Sequence, residues 1–222
     1  MTDIDQPQTI KAPGEPPGSV LRSRGWLLAL LAFVLLAGFA AYAFLTWRPP
    51  GDGGAEATFA RDMQAHHIQA VAMALPLRER SADPELRALA LDIMLTQQAQ
   101  IGQMQGWLAA WGLPLGGAAP PMNGQGEMMG MASQQQVNGL QTLPIPEAEV
   151  SFLQLMIRHH QGGVLMAQEA LRSTNRPEVV RLAQAIEAAQ QSEIEAMEAM
   201  LQKRGAAPLP PLQPMDMSHP AH

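Results

Sequence analysis

Apolar positions along the chain fall into one long uncharged run and two stretches with helical spacing. The spaced stretches are near copies. Phe59–Ala74, FARDMQAHHIQAVAMA, returns as Phe152–Ala167, FLQLMIRHHQGGVLMA, with every match at an offset of 93 residues. Positions 59, 63, 66, 67, 70, 73 and 74, identical in the repeat except that Gly163 stands opposite Ala70, trace one face of a helix. Both histidine pairs, His66-His67 and His159-His160, therefore lie on or beside the apolar face, together with Met63 and Met156. The offset continues downstream. Pro84-Glu85 matches Pro177-Glu178, Ile93 matches Ile186, Gln97-Gln98 match Gln190-Gln191, and Met104 matches Met197. Proline followed by glutamate suits the first turn of a helix. Each half thus reads as a helical hairpin, over 56–111 and 146–204.

The fold expected is all-α: two duplicated hairpins packed as a four-helix bundle about a pseudo-twofold axis, with the histidine pairs facing each other in mid-bundle. The connection over 112–145 is long enough to let the second hairpin start at the end where the first one did. Turns near 82 and 175 set Gln97 and Gln190 level with the histidines. These glutamines are either partners that fix the imidazole tautomers or ordinary surface residues. Pro76 predicts a kink or an early helix end near Leu75. Gly162 and Gly163 sit inside a helix at a cost of about 1 kcal/mol each relative to alanine. Gly163 falls on the inner face, where close backbone approach would use it; local tolerance is the alternative.

Outside the hairpins, residues 1–24 are rich in proline, glycine and charge and read as disordered. Residues 25–47 carry no charge and would span about 35 Å as a helix, enough for a bilayer. Trp26, Tyr42 and Trp47 near its ends fit interfacial positions, and Arg22 and Arg24 favour a cytoplasmic N-terminus. An uncleaved membrane anchor and a signal peptide cleaved near Ala41–Ala43 both fit, with the main domain extracytoplasmic (periplasmic or cell-surface) in either case. Residues 48–55 read as a flexible linker. The connection holds Met122, Met128, Met129 and Met131, with a short helix expected over Gln134–Leu143. The proline-rich tail, 205–222, ends with Met215, Met217, His219 and His222.

Composition narrows the chemistry. A net charge of −6 argues against nucleic acid as a partner. The absence of cysteine removes disulfides, thiolate zinc sites and cysteine nucleophiles. Fifteen methionines and six histidines remain as soft and borderline metal ligands. Thioether with imidazole favours copper, above all Cu(I), while imidazole alone also suits zinc or nickel. Helical methionines are ordinarily core filler, but Met63 and Met156 lie four before the second histidine of each pair. The metal-site candidates are His66, His67, His159, His160, Met63 and Met156. The loop and tail methionines, with His219 and His222, form a candidate auxiliary arm without a core to bury them. Binding needs neutral imidazoles, so affinity is expected to fall as pH drops through about 6.5.

The duplicated M-x-x-H-H segment ending in M-A, followed by a helix with a Gln-Gln pair, resembles the bacterial domain-of-unknown-function family 305 over roughly 56–204. The resemblance implies a ferritin-like four-helix bundle and, from some members, copper binding outside the cytoplasm. It also marks His66, His67, His159, His160, Met63 and Met156 as motif positions. Two departures stand out. Glu193 fits the family's glutamate on the return helix, but Gln100 replaces it in the first half, and Asp62 has Leu155 as its counterpart. One lopsided site is expected rather than two identical ones. A di-iron oxidase is disfavoured, because no glutamate lies three before any histidine. Three functions stay open: a membrane-tethered copper protein for buffering, delivery or tolerance; a structural or interaction bundle with core histidines; and a metal-dependent enzyme. A non-catalytic role is the one expected.

Overall fold

The computed structural model describes residues 19–46 and 48–212, in two units divided after Arg48. Residues 1–18, Trp47, Met215, Met217, His219 and His222 lie outside the described residues, while residues 19–24, expected to be disordered, are helical. The first unit is a helix, α1 (Ser19–Thr46). Its stretch Gly25–Phe44 is long and apolar enough to cross a membrane, a test that a signal sequence also passes. Trp26, Phe33, Phe39 and Tyr42 are exposed along it.

The second unit is all-helical among the described residues. It contains α2 (Ala55–Arg80), α3 (Pro84–Ala110), a short α4 (Gln134–Thr142), α5 (Ile145–Ser173) and α6 (Pro177–Lys203). Two 3-10 turns, Pro121–Gly124 and Gly126–Met129, precede α4. Prolines open α3 and α6 where a missing N–H costs nothing, and the Asp83 carboxylate caps α3 by accepting from the Glu85 amide at 2.8 Å. Ser133 and Gln136 close a reciprocal capping box on α4. Pro76 neither ends α2 nor leaves its surroundings loose: the helix runs on to Arg80. A proline inside a helix costs about 3 kcal/mol, and burial of Met73 and Leu77 beside it contributes about 1.5–3 kcal/mol each. Packing therefore wins over the local preference.

α2 packs on α3, α5 on α6, and α2 on α5. The apolar core comes in two parts. One joins late α2 (Met73, Leu77) to early α3 (Leu86, Ile93), early α5 (Phe152, Leu153) and late α6 (Met197, Leu201). The other joins early α2 (Phe59, Met63) to late α3 (Met104, Leu108), late α5 (Met166, Ala170) and early α6 (Val179, Ile186). α2 and α5 are therefore antiparallel. The expectation that both hairpins start at the same end is overturned.

The ends of the bundle give the reason. The Ser81 hydroxyl donates to Glu149 at 2.6 Å at one end, and the Thr174 hydroxyl donates to Glu56 at 2.6 Å at the other. Ser81 and Thr174 stand 93 apart, as do Glu56 and Glu149, so one contact is made twice with the halves exchanged. Only a twofold axis across the bundle, not along it, allows that. The connection must then travel the full height of a helix of 26 residues, about 40 Å, which accounts for its length.

The connection is fastened as it goes. Arg61 donates to the Pro114 carbonyl at 2.8 Å and to the Asp52 carbonyl at 2.7 Å. The linker expected to be flexible is thereby pinned at Asp52. The Asp62 carboxylate accepts from the Met122 amide at 2.8 Å, and burial raises its pKa. Arg80 donates to the Leu143 carbonyl at 2.7 Å. Of the loop methionines, Met122 is buried and Met129 and Met131 pack against the core; Met128 is the exposed one, at 47%. As free metal-collecting ligands, the other three are corrected to packing residues.

Candidate metal centre

Between the two apolar clusters lies a polar layer. His66, His67, His159 and His160 are each fully buried there, and Gln97 and Gln190 are 2% and 3% exposed. The His66 and His159 rings stack with centres 3.6 Å apart. Within the pairs, the centres are 6.4 Å apart for His66 and His67 and 6.2 Å for His159 and His160.

Each imidazole spends the same nitrogen on an oxygen acceptor. His66 Nε2 donates to the Met129 carbonyl at 3.0 Å, and His159 Nε2 donates to the His66 carbonyl at 2.9 Å. His67 Nε2 meets Gln100 Oε1 at 2.7 Å, and His160 Nε2 meets a Glu193 carboxylate oxygen at 2.6 Å. Acceptors at every Nε2 put the proton there and leave a lone pair on Nδ1. All four Nδ1 atoms are buried without a hydrogen-bond partner, as are both amide atoms of Gln97 and of Gln190.

Burial sets the charge state. Desolvation lowers the pKa of His66 to about 4 and that of His67 to about 3, and it pushes His159 well below the ordinary histidine value. The neighbouring histidines act in the same direction. These three rings are neutral at physiological pH, the form in which imidazole binds metal.

A metal ion fits this layer by donor chemistry. Neutral imidazole with one nitrogen free and the other donating to an oxygen is the usual arrangement of a metal-bound histidine. The separation within each pair leaves room for an ion bonded at about 2 Å to each ring. The stacked rings at 3.6 Å leave none between them. Among the described residues no three histidine, aspartate or glutamate side chains are grouped so as to hold one ion. As the rings stand, the layer offers pairs of imidazoles, a low coordination number suited to a soft monovalent cation. Met63 and Met156 are fully buried but sit in different apolar clusters, one on each side of the layer.

Gln97 and Gln190 reach the layer without taking the histidine Nε2 protons. Those of His67 and His160 go to Gln100 and Glu193, three residues further on, and those of His66 and His159 go to backbone carbonyls. Side chains on a helix lean toward its N-terminus. His67 on α2 leans away from the 81–83 turn, and a side chain on α3 leans back toward it. The pair that meets is therefore offset from the level pair by about one turn. Gln100 and Glu193 were legible in the sequence as matched positions, 33 residues after His67 and His160 respectively.

Met129 was not legible as a histidine partner, and the device that places it is a close crossing of backbones. A Cβ on Gly162 would stand 1.7 Å from the Met129 carbonyl oxygen, and one on Gly130 would stand 2.1 Å from the Arg158 carbonyl oxygen. Gly130 also has φ +78, in the left-handed region. The connection thus lies directly on α5 and holds the Met129 carbonyl at His66. The Ala132 carbonyl and amide bond to the Gln69 side chain at 2.9 and 2.7 Å, which fastens the same strap to α2. A Cβ on Gly163 would stand 2.2 Å from Gln190 Oε1, so the close approach expected at Gly163 is to a glutamine side chain. Gly162→Ala is expected to destabilise by about 1–3 kcal/mol through overpacking, measured by thermal melting. A loss under 0.5 kcal/mol would show that the crossing yields easily.

Fold and centre together define a class: a four-helix bundle with a buried histidine layer built by two matched hairpins. The chain belongs to the family described as Domain of unknown function (DUF305), which matches residues 56–201. A DUF305 protein from Streptomyces coelicolor, described as secreted, is 43% identical and has a TM-score of 0.68; the match covers 72% of this chain and 99% of that one. A DUF305 fragment from Deinococcus radiodurans is 46% identical with a TM-score of 0.63, covering 70% and 99%. CopM in the Cu(II)-bound form is 30% identical with a TM-score of 0.58, covering 68% and 97%. Among curated proteins, nothing matches.

Proposed function

We propose that this protein binds copper at the histidine layer, and that it buffers or delivers the ion, or confers tolerance to it, without catalysing a reaction. The observation that carries this reading is the set of four buried Nδ1 lone pairs, each on a ring whose other nitrogen is already engaged. His66, His67, His159 and His160 would hold the ion. Copper would supply its affinity for neutral imidazole and thioether. CopM, solved with Cu(I), Cu(II) and silver, supports the choice of metal. The single long crossover supports the ferritin-like description, and the recurrence of end contacts at the same offset supports duplication of the hairpin. Metal content and affinity of the purified chain, measured for copper, zinc and nickel, test the reading: copper bound no more tightly than the others sinks it.

The competing reading is a structural bundle whose histidines only satisfy one another's neighbours. The His66–His159 stack favours it, since rings so close seat no ion between them. Metal-dependent melting separates the two.

The location proposed is extracytoplasmic, with α1 retained as a single-pass anchor. Reporter fusions after residue 55 and after residue 222 are expected to score outside the cytoplasm. A cytoplasmic signal from either overturns the orientation, and a mature N-terminus near residue 43 overturns the anchor.

A further inference from the structure

The first imidazole of each pair is held by a backbone carbonyl, Met129 for His66 and His66 for His159; the second imidazoles differ in the charge of their partners. His67 Nε2 faces the neutral amide oxygen of Gln100 at 2.7 Å, and His160 Nε2 faces a carboxylate oxygen of Glu193 at 2.6 Å. Glu193 is itself 14% exposed, so its charge is poorly screened by water. The other hydrogen-bond partners of the four rings are neutral: the Gln100 amide and the Met129 and His66 carbonyls. Arg158, next to His159 in sequence, donates to the Pro210 carbonyl at 2.7 Å rather than to a layer residue.

We propose that Glu193 makes His159–His160 the first-filled and tighter of two ion positions, and that the layer is charge-matched to one soft monovalent cation. The proposal rests on the copper reading above and adds which pair loads first and what ionic charge the layer takes. A cation moved from water into a buried layer loses its hydration and needs a compensating charge. One carboxylate compensates one positive charge. It acts through the imidazole, whose basicity rises when its N–H is given to a carboxylate. At His67 the amide of Gln100 orients the ring but supplies no charge, so an ion on the His66–His67 side stays uncompensated. Glu193 is thus a positioning and charge-compensating residue, not a ligand. Cu(I) and Ag(I) fit both the charge and the neutral imidazole donors, whereas a divalent ion would leave one charge unmatched.

Ag(I) is the probe, since it is monovalent and stable in air. It is titrated as the nitrate, without chloride, into the full chain in detergent micelles. Met215, Met217, His219 and His222 are replaced by alanine so that tail ligands do not compete. Stepwise affinities and histidine ring 15N shifts are recorded together. The ring signals of His159 and His160 are expected to move first. Glu193→Gln should weaken the first step about 10–100-fold, and Gln100→Glu should tighten the second by a similar factor. The exchange Glu193→Gln with Gln100→Glu keeps the net charge and should reverse the loading order, which a merely structural role for Glu193 would not do. If the parent binds silver but loads His66–His67 first, or if Glu193→Gln loads as the parent does, the proposal is wrong and copper binding stands. If the parent takes up no silver at the histidines, the copper reading falls and the proposal with it.

Discussion

Copper raises the melting temperature of the chain by about 5–10 °C when free metal is near a hundred times Kd, and His66→Ala with His159→Ala removes most of that rise. A ligand that binds only the folded state at this excess contributes about 2.7 kcal/mol, and in a domain of this size each kcal/mol moves the midpoint by about 2–4 °C. The two histidines are chosen because one belongs to each pair and their rings are in contact. Deleting residues 213–222 should leave most of the rise, because the ion is held by the buried imidazoles; residues 206–210, expected to be flexible, are instead fastened to the bundle, with Leu209 packed on the core and the Pro210 carbonyl accepting from Arg158. The check is calorimetry with and without Cu(I) on parent and variants. If the bundle with all four histidines replaced by alanine stays folded and binds copper as tightly as the parent, the histidines are structural.

Acid should unfold the metal-free bundle well above the carboxylate range. His66 and His67 have folded-state pKa values lowered from 6.5 to about 4 and about 3, with desolvation the main cause. Above pH 6.5 the folded and unfolded chains are both neutral at these sites, and the full stability is present. As pH falls below 6.5 the unfolded chain takes up protons that the folded chain refuses, so stability is lost progressively toward pH 4. His66 alone accounts for a loss on the order of 3 kcal/mol across that window. Helix content followed by circular dichroism should show a thermal midpoint that falls as the buffer is made more acid between pH 6 and 4. A stability that stays flat from pH 7 to 4.5 would mean that the rings are hydrated rather than buried.

The same burial corrects an expectation drawn from the residues alone. Free imidazole would lose its metal as pH falls through about 6.5. In this layer burial lowers the pKa of His66 to about 4 and that of His67 to about 3, so an ion held by these rings should be retained well below pH 6.5.

How far the sequence reached can be judged from particular residues. The spacing of Phe59, Met63, His66 and Met73, repeated at 152, 156, 159 and 166, was enough for two hairpins and for one shared histidine level. Helical periodicity reports which face is buried. It is silent on whether two such faces meet head to head or head to tail. That choice lay in Glu56, Ser81, Glu149 and Thr174, four polar residues at helix ends whose matched spacing is visible but carries no direction. The partners of the histidines were misjudged by about one turn because side-chain lean, not backbone level, decides which residues touch. Pro76 does not end its helix early, since a local preference of about 3 kcal/mol yields to the core built around it. Met129 lay beyond reach: its carbonyl has no sequence of its own, and only the glycines at 130 and 162 hint that two backbones cross there.

The exchanged end contacts have a consequence for how such a bundle could arise. Ser81 meets Glu149 while Thr174 meets Glu56, so each half gives what it receives, as in an isologous dimer interface. A single hairpin carrying one glutamate, one hydroxyl and one histidine pair could build the whole arrangement with a second copy of itself. The crossover turns that encounter between two molecules into one within a chain, at a high effective concentration. Once the halves are joined, they no longer need to be identical. Gln100 and Glu193 can then differ, and so can Asp62 and Leu155, which a symmetric pair of copies could never do.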